Sequence, residues 1–226
     1  MSIIRPFDPT DILKFNNVNS DAWTATYHNG YYASYAAQWP DFCVTVEGAF
    51  DESIKAYMIA KHEPPSPDPQ HHGHLTALSI SPEYRFLGLA RTLMDLLENL
   101  SGPSPRIHNH DNCNGHHHDH DHNHNHGHSH DHNNPEEKGN LDAVDAWFVD
   151  LFVRCNNKRA IEMYEKLGYS VYRRVVDYYN GMEGIGSTRD ELDGFDMRKS
   201  MPKDTTKRYV RSNGKDILVS PDQVWS

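Results

Sequence analysis

Hydrophobic and polar positions along this chain follow two periods. A repeat of two marks strands, and a spacing of three and four marks helices. The sharpest switch between them falls in His74–Leu100, HLTALSISPEYRFLGLARTLMDLLENL. Leu75, Ala77 and Ser79 alternate with Thr76, Leu78 and Ile80, which predicts a strand apolar on both faces. Pro82 ends it, having no N–H to give a ladder. Leu89, Leu93, Leu96, Leu97 and Leu100 then fall near one side of a helix. Upstream, Ser2–Arg5 predicts a short strand. Asp8 as N-cap and Pro9 at the first helical position open a helix carrying Ile12, Leu13 and Phe15, closed by Asn16-Asn17. Tyr27–Tyr35 holds four tyrosines and predicts a helix burying Tyr31 or Tyr32 together with Tyr35. Phe42–Glu47 and Ile54–Lys61 read as antiparallel strands around a Gly48–Ser53 turn, and EPPSPDPQ at Glu63–Gln70 reads as a loop.

Past Leu100 the pattern stops. Residues 101–142 are of low complexity, and His108–His132 holds twelve of the seventeen histidines. Nothing in that run can build a core, so it is expected to be a disordered surface insert. Its alternating His and Asp suit loose binding of zinc, nickel or copper ions, but no fixed ligand set is specified and no metal site is assigned there. Periodicity resumes at Ala146–Val153, a strand of the buried kind. Asn156 or Asn157 then caps a helix bearing Ala160, Ile161, Tyr164 and Leu167, which Gly168 ends. Tyr169–Tyr179 predicts a strand, Gly181–Gly194 a polar loop and Phe195–Lys199 a last strand. A polar tail follows Met201, with one apolar run at Ile217–Val219. This order predicts an α/β fold, a mixed central sheet flanked by helices, in one domain over 1–201 with a tail at 202–226.

Charge narrows the partners. A formal net charge of −10 argues against direct binding of nucleic acid or an anionic membrane surface, both of which select a basic face. The first residues, MSIIRPFDPTD, lack the apolar run of a signal peptide, and no segment reaches membrane-spanning length. Cys43, Cys113 and Cys155 are widely spaced and odd in number, so a disulfide framework is not expected, and a reducing, cytoplasmic setting is. Cys43 and Cys155 read as small core residues.

The turn before the leucine-rich helix carries the candidate chemistry. Arg85-Phe86-Leu87-Gly88-Leu89-Ala90 places a residue without a Cβ where free backbone N–H groups open a helix. Such an end seats a pyrophosphate, and Arg85 adds a fixed positive charge. The pattern R-x-x-G-x-A between strand and helix resembles the acetyl-CoA-binding core of the GNAT acetyltransferases. Three longer stretches are more specific: RPFDPTDILKFNNVN at Arg5–Asn19, HGHLTALSISPEYRFLGLA at His72–Ala90, and VDLFVRCNNKRAIEMYEKLGYSVYRRVVDYY at Val149–Tyr179. They resemble the catalytic subunits of the NatB-type N-terminal acetyltransferases.

That resemblance implies a GNAT fold that transfers acetyl from acetyl-CoA to the α-amino group of proteins beginning Met-Asp, Met-Glu, Met-Asn or Met-Gln. It also implies a large helical auxiliary subunit and work on nascent chains at the ribosome. Cofactor contacts map to the backbone of Leu78, Ser79 and Ile80, to Arg85, Phe86, Leu87, Gly88, Leu89 and Ala90, and to Asn157 and Tyr164. Tyr164 is the candidate acid for the leaving thiolate, although its spacing also suits a core tyrosine, and Asn157 also suits a plain helix cap. Tyr27 is the candidate wall for the substrate N-terminus. His74 and Thr76 share a strand face and are the candidate donors to the second substrate residue, with His74 the second catalytic candidate. One of Tyr178 and Tyr179 is expected in the core, and the other over the substrate backbone. The family carries an acidic residue just before Tyr27, where this chain has Ala25. Two other readings follow from the same residues: a GNAT enzyme for a lysine or small amine, and a His-rich metal-binding protein on an inert acetyl-CoA fold.

Overall fold

The computed structural model describes residues 1–20, 23–24, 26–103, 144–180 and 188–224. Ala25 and the histidine run lie outside the described residues. Eight strands form one mixed sheet: β1 (Ser2–Pro6), β2 (Cys43–Gly48), β3 (Ile54–Glu63), β4 (His72–Ile80), β5 (Phe148–Arg154), β6 (Ser170–Val175), β7 (Gly194–Ser200) and β8 (Leu218–Val219). Their order across the sheet is β1-β2-β3-β4-β5-β7-β6-β8. Strands β1 to β4 pair antiparallel, as do β5 with β7 and β7 with β6, while β4–β5 and β6–β8 are parallel. The parallel β4–β5 step requires the crossover that α2 (Leu89–Ser101) begins.

Each face of the sheet has its own core. On one, Leu93, Met94 and Leu97 of α2 and Ile161, Tyr164 and Leu167 on and just after α3 (Lys158–Lys166) pack with Val44, Met58, Leu75, Leu151 and Met197. On the other, α1 (Asn29–Gln38) brings Tyr32 and Tyr35 against Phe7, Phe15, Tyr57 and Ile59. Tyr32, and not Tyr31, is the fully buried member of the predicted pair. The N-terminal helix is a 3-10 turn over Pro9–Leu13 with a capping box from Asp8 and Asp11. Asp11 also accepts both terminal nitrogens of Arg5 at 2.8 Å, which ties the turn to β1. Cys43 is buried and Cys155 half-buried; burial lifts their thiols to about 11 and about 12, so both stay protonated.

Three differences from the sequence pattern matter for the site. In β4, Ala60 of β3 pairs with Leu75 but Ile59 pairs with Ala77, so Thr76 is left over as a bulge. The bulge breaks strict alternation, and Leu75 and Leu78 both join the core under α2 and α3. The predicted strand Tyr169–Tyr179 ends at Val175, so Tyr178 and Tyr179 stand in a turn and not on alternate strand faces. The segment after Met201, expected as a polar tail, is docked on the sheet. Its β8 pairs with β6, Asp204 is buried and accepts from the backbone N–H groups of Arg208 and Tyr209, and Tyr209 stacks on Phe148 with ring centres 4.7 Å apart.

Candidate active site

Strands β4 and β5 pair only from His72–Leu75 against Phe148–Leu151. Beyond that point β4 continues to Ile80 with β3 alone, and β5 continues to Arg154 with β7 alone. The two strands therefore splay apart at the bulge, and the β5-facing edge of Thr76–Ile80 has no partner strand. Backbone groups on such an edge need acceptors and donors, and an extended amide-bearing ligand supplies both. Leu78, Ser79 and Ile80 lie on this edge, with Leu78 and Ile80 half-buried and Ser79 buried.

The edge leads into the predicted anion seat. Gly88 caps α2 with φ +84°, a left-handed conformation that disfavours other residues, and no side chain caps the helix. A Cβ built on Gly88 meets nothing within 4 Å, so the space in front of it is open. Phe86 and Leu87 are exposed, and no acidic residue sits in the first turn of α2, which Leu89 and Ala90 begin. Arg85 has a structural contact besides the role expected of it: its Nε donates to the Ile80 carbonyl at 3.2 Å, which clamps the turn onto the strand end. Arg159 of α3 lies over the Phe86 ring at 5.4 Å and brings a second guanidinium beside the loop, which no motif had flagged. Asn157 is a true cap, its Oδ1 accepting from Ala160 N–H at 3.3 Å. Tyr164 is buried in the core cluster that Leu78 and Ile80 flank, and its ring lies 6.0 Å from that of Tyr169. Burial raises its phenol well above the usual value, so it carries its proton across the physiological range.

On the opposite face, aromatic rings line a groove. Tyr27 stacks on Tyr31 at 4.4 Å, Tyr31 donates its hydroxyl to Tyr35 at 3.1 Å, and Thr76 donates to the Tyr35 hydroxyl at 3.2 Å. Tyr178 stacks on Phe152 at 4.5 Å and senses Tyr27 and Tyr35 electrostatically, so the post-β6 turn faces α1. Desolvation raises the phenols of Tyr27, Tyr178 and Tyr179. Both Tyr178 and Tyr179 pack close on Gly194, where a Cβ would come within 3.1 Å of each ring. Tyr179 turns to Arg154, whose guanidinium lies 4.4 Å from its ring centre.

His74 sits on the floor of this groove, 6.0 Å from Phe152, with Nδ1 at 2.7 Å from Asp150 Oδ1. Burial raises the Asp150 carboxyl, but His72, His74 and Arg198 outweigh it and hold the group below the usual carboxylate range. An ionised carboxylate only accepts, so Nδ1 of His74 carries the proton and its ring is held in one orientation. The structure thus brings Tyr27, His74, Thr76 and Tyr178 to one face, while Tyr179 lies to the side against Arg154. Sequence reasoning missed Asp150, Phe152, Tyr31 and Tyr35 as members. A lone charge inside FVDLFV was the available signal, because a buried carboxylate demands a partner.

A strand pair that opens onto a helix N-terminus on one side and an aromatic groove on the other is the setting in which the family comparisons become decisive. The model of the acetyltransferase (GNAT) family matches residues 12–103. The catalytic subunit of the N-terminal acetyltransferase B complex of Schizosaccharomyces pombe is 36% identical over 225 residues, covering 99% of each chain. The chain belongs to the family of NatB catalytic subunits. The Saccharomyces cerevisiae NatB catalytic subunit is likewise 36% identical over 99% of both chains. Among solved structures, Chaetomium thermophilum Naa20 in complex with a bisubstrate analogue superposes with a TM-score of 0.74 at 32% identity, covering 99% of this chain and 100% of that one. A NatB complex bound to a bisubstrate inhibitor gives 0.69 at 30% identity, with 98% of each chain covered. The mixed sheet and flanking helices are the GNAT fold, and the splayed β4–β5 pair is this NatB-family chain's own instance of it.

Proposed function

We infer that this chain is the catalytic subunit of a NatB-type complex. It transfers acetyl from acetyl-CoA to the α-amino group of proteins that begin Met-Asp, Met-Glu, Met-Asn or Met-Gln. The observation that carries the reading is the joining of two sites through one strand: β4 offers an unpaired backbone edge at Leu78–Ile80 to an acyl carrier and, four residues before Leu78, His74 to a peptide. Acetyl-CoA supplies the activated acyl group. The Leu78–Ile80 backbone aligns the carrier arm and polarises the thioester carbonyl, and the α2 N-terminus at Gly88 holds the pyrophosphate. An α-amine with a pKa of about 7.7–8 is partly neutral at pH 7, so the site needs little base strength, unlike one built for lysine at about 10.4. Tyr164, kept protonated by burial, donates to the departing thiolate. Tyr27, Tyr31 and Tyr178 enclose the first residue, and His74, with Nε2 protonated as well as Nδ1, and Thr76, with its hydroxyl turned from Tyr35, present donors to the carboxylate or amide of the second.

The auxiliary subunit is part of this reading. Leu13 and Trp23 expose apolar surface next to α1, and Leu218 exposes it at the far edge, while Ile217 and Val219 use their carbonyls to accept from Arg174 and Val176. A partner contact at the Ile217–Val219 run therefore centres on Leu218, which is exposed. Among the described residues no helix is long and apolar enough to cross a membrane, and the proposed setting is the cytoplasm, on nascent chains at the ribosome. The test is acetyl transfer to peptides beginning MD, ME, MN, ML and SE and to a lysine-rich peptide. Preference for the first three supports the reading, and preference for the lysine side chain overturns it.

A further inference from the structure

Below the peptide groove lies a set of donors that acetyl transfer does not use. His72 is 7% exposed, and its Nδ1 lies 2.6 Å from the Gln70 carbonyl. A carbonyl only accepts, so Nδ1 carries a proton and Nε2 is the nitrogen through which this ring would ligate an ion. That Nε2 is buried with no hydrogen-bond partner and stands 3.6 Å from Asp150 Oδ1. On the adjoining strand, Oε1 of Glu63 is buried and equally without a partner. One donor atom each from Glu63, His72 and His74 lies within 4.8 Å of the others. A ring N–H fixed by a carbonyl, with the other nitrogen bare, is how metal-ligating histidines are held.

We propose that Glu63, His72 and His74 bind a divalent transition ion of the zinc class, with Asp150 orienting His74 through Nδ1 and the fourth position taken by water. Two imidazoles and one carboxylate with an open fourth position are a donor set that such ions take in tetrahedral geometry, with ligand atoms roughly 3.5 Å apart. The three donor atoms, within 4.8 Å of one another, must draw inward to reach that spacing. Lys61 opposes the ion, since its Nζ holds Glu63 Oε2 at 2.5 Å. In that same position its Nζ also lies 5.9 Å from the centres of the Tyr35 and Trp39 rings, which hold it when Glu63 turns to an ion. Because His74 also belongs to the peptide wall, a consequence resting on the proposed function is that a bound ion withdraws it and inhibits transfer.

Cobalt(II) serves as the visible probe, because tetrahedral and octahedral cobalt differ in spectrum. The full-length chain with the twelve histidines of His108–His132 changed to serine is titrated, alone and with Glu63→Gln or Glu63→Gln/His72→Gln added. The site requires one equivalent of tetrahedral cobalt in the first protein, with affinity lowered roughly ten- to a hundredfold or more in the others, and displacement by zinc. No tetrahedral equivalent, or equal affinity in all three, overturns it. Glu63→Gln alone changes one atom of a half-buried side chain, so the test survives if His72→Gln disturbs folding. Metal-free acetylation of an MD peptide is measured on the same samples. Its absence counts against the proposed function and leaves the metal result standing, whereas activity that one equivalent of zinc does not lower removes the coupling.

Discussion

The two halves of β4 work in opposite ways. From His72 to Leu75 the strand is paired on both sides, and its proposed function lies in side chains: His74 on Asp150, and His72 stacked on Phe148. From Thr76 to Ile80 it is paired on one side only, and its proposed function lies in backbone groups that continue into the loop at Gly88. A single bulge at Thr76 divides them. Backbone recognition tolerates many side chains but few conformations. Side-chain recognition holds a few residues strictly and relies on neighbours far away in sequence. Substitutions in the two halves should therefore fail differently, the first in stability and selectivity, the second in cofactor affinity and rate.

The largest effect is expected where a side chain serves the backbone half. Tyr164→Phe removes the proposed acid and should lower kcat by about 10²–10⁴-fold, with acetyl-CoA affinity unchanged in calorimetry. Because burial keeps this phenol above its ordinary value, the wild-type rate should show no loss attributable to it as pH rises toward 9. An unchanged kcat would place Tyr164 in the core only.

Next comes Asp150→Asn, which leaves two buried histidines and Arg198 short of a carboxylate. Breaking a buried pair from one side costs about 3–5 kcal/mol, readable in urea unfolding. The sign of the pH dependence follows from a depressed pKa. The contribution is fully present above the unfolded value of about 3.9 and is lost as pH falls through the lower folded value. The gap between wild type and variant should stay constant from pH 5 to 8, as read by urea melts, and close in strong acid. A gap that widens on acidification would mean the carboxyl is protonated in the fold.

His74→Ala tests selectivity. Loss of a hydrogen bond to a charged group costs about 1.5–3 kcal/mol, or roughly ten- to a hundredfold in kcat/KM on an MD peptide. An ML peptide should lose much less, and acetyl-CoA affinity should stay the same. Equal losses on MD and ML would assign His74 to chemistry or folding. In the other half, Gly88→Val forces a branched residue into a left-handed conformation, costing about 1–2 kcal/mol, and crowds an open anion seat. Acetyl-CoA binding should weaken while MD-over-ML selectivity persists.

These contrasts also explain what was legible in the sequence. The backbone half announces itself locally, because a glycine at the mouth of a helix and the change from period two to 3.6 are both short-range signals. Helix α2, the cap at Asn157 and the stop at Gly168 followed from the same kind of evidence. The side-chain half depends on residues 76 positions apart in the pair His74–Asp150 and 41 in Thr76–Tyr35, which periodicity does not connect. The bulge was hidden because Leu75-Thr76-Ala77-Leu78 reads as regular alternation when nearly every residue is apolar or small. The docking of residues 202–224 was missed because their hold is polar and long-range, through Asp204 and Arg173. Full-length similarity to NatB subunits, and not pattern, joined the halves into one enzyme.

The smallest effect is expected from the segment that links the two halves in sequence. It leaves α2, on the cofactor side, and returns to β5, which carries Asp150. Its two ends are held together without it: Asp145 N–H donates to the Gly102 carbonyl at 3.2 Å, and Ala146 N–H to the Ser101 carbonyl at 2.8 Å. A loop anchored in this way pays only for closure, and halving its length changes that cost by about 0.6 kcal/mol. Deleting Ile107–Asn133 should therefore shift thermal stability by no more than a few degrees and leave kcat/KM on MD peptides within about twofold of wild type. Selectivity and acetyl-CoA affinity offer separate readouts of the two halves of β4. A loss confined to acetyl-CoA binding would place the run at the cofactor half, and a loss confined to MD selectivity would place it at the peptide half. Neither should occur if the run's role is to gather metal ions, since that function leaves the metal-free enzyme untouched.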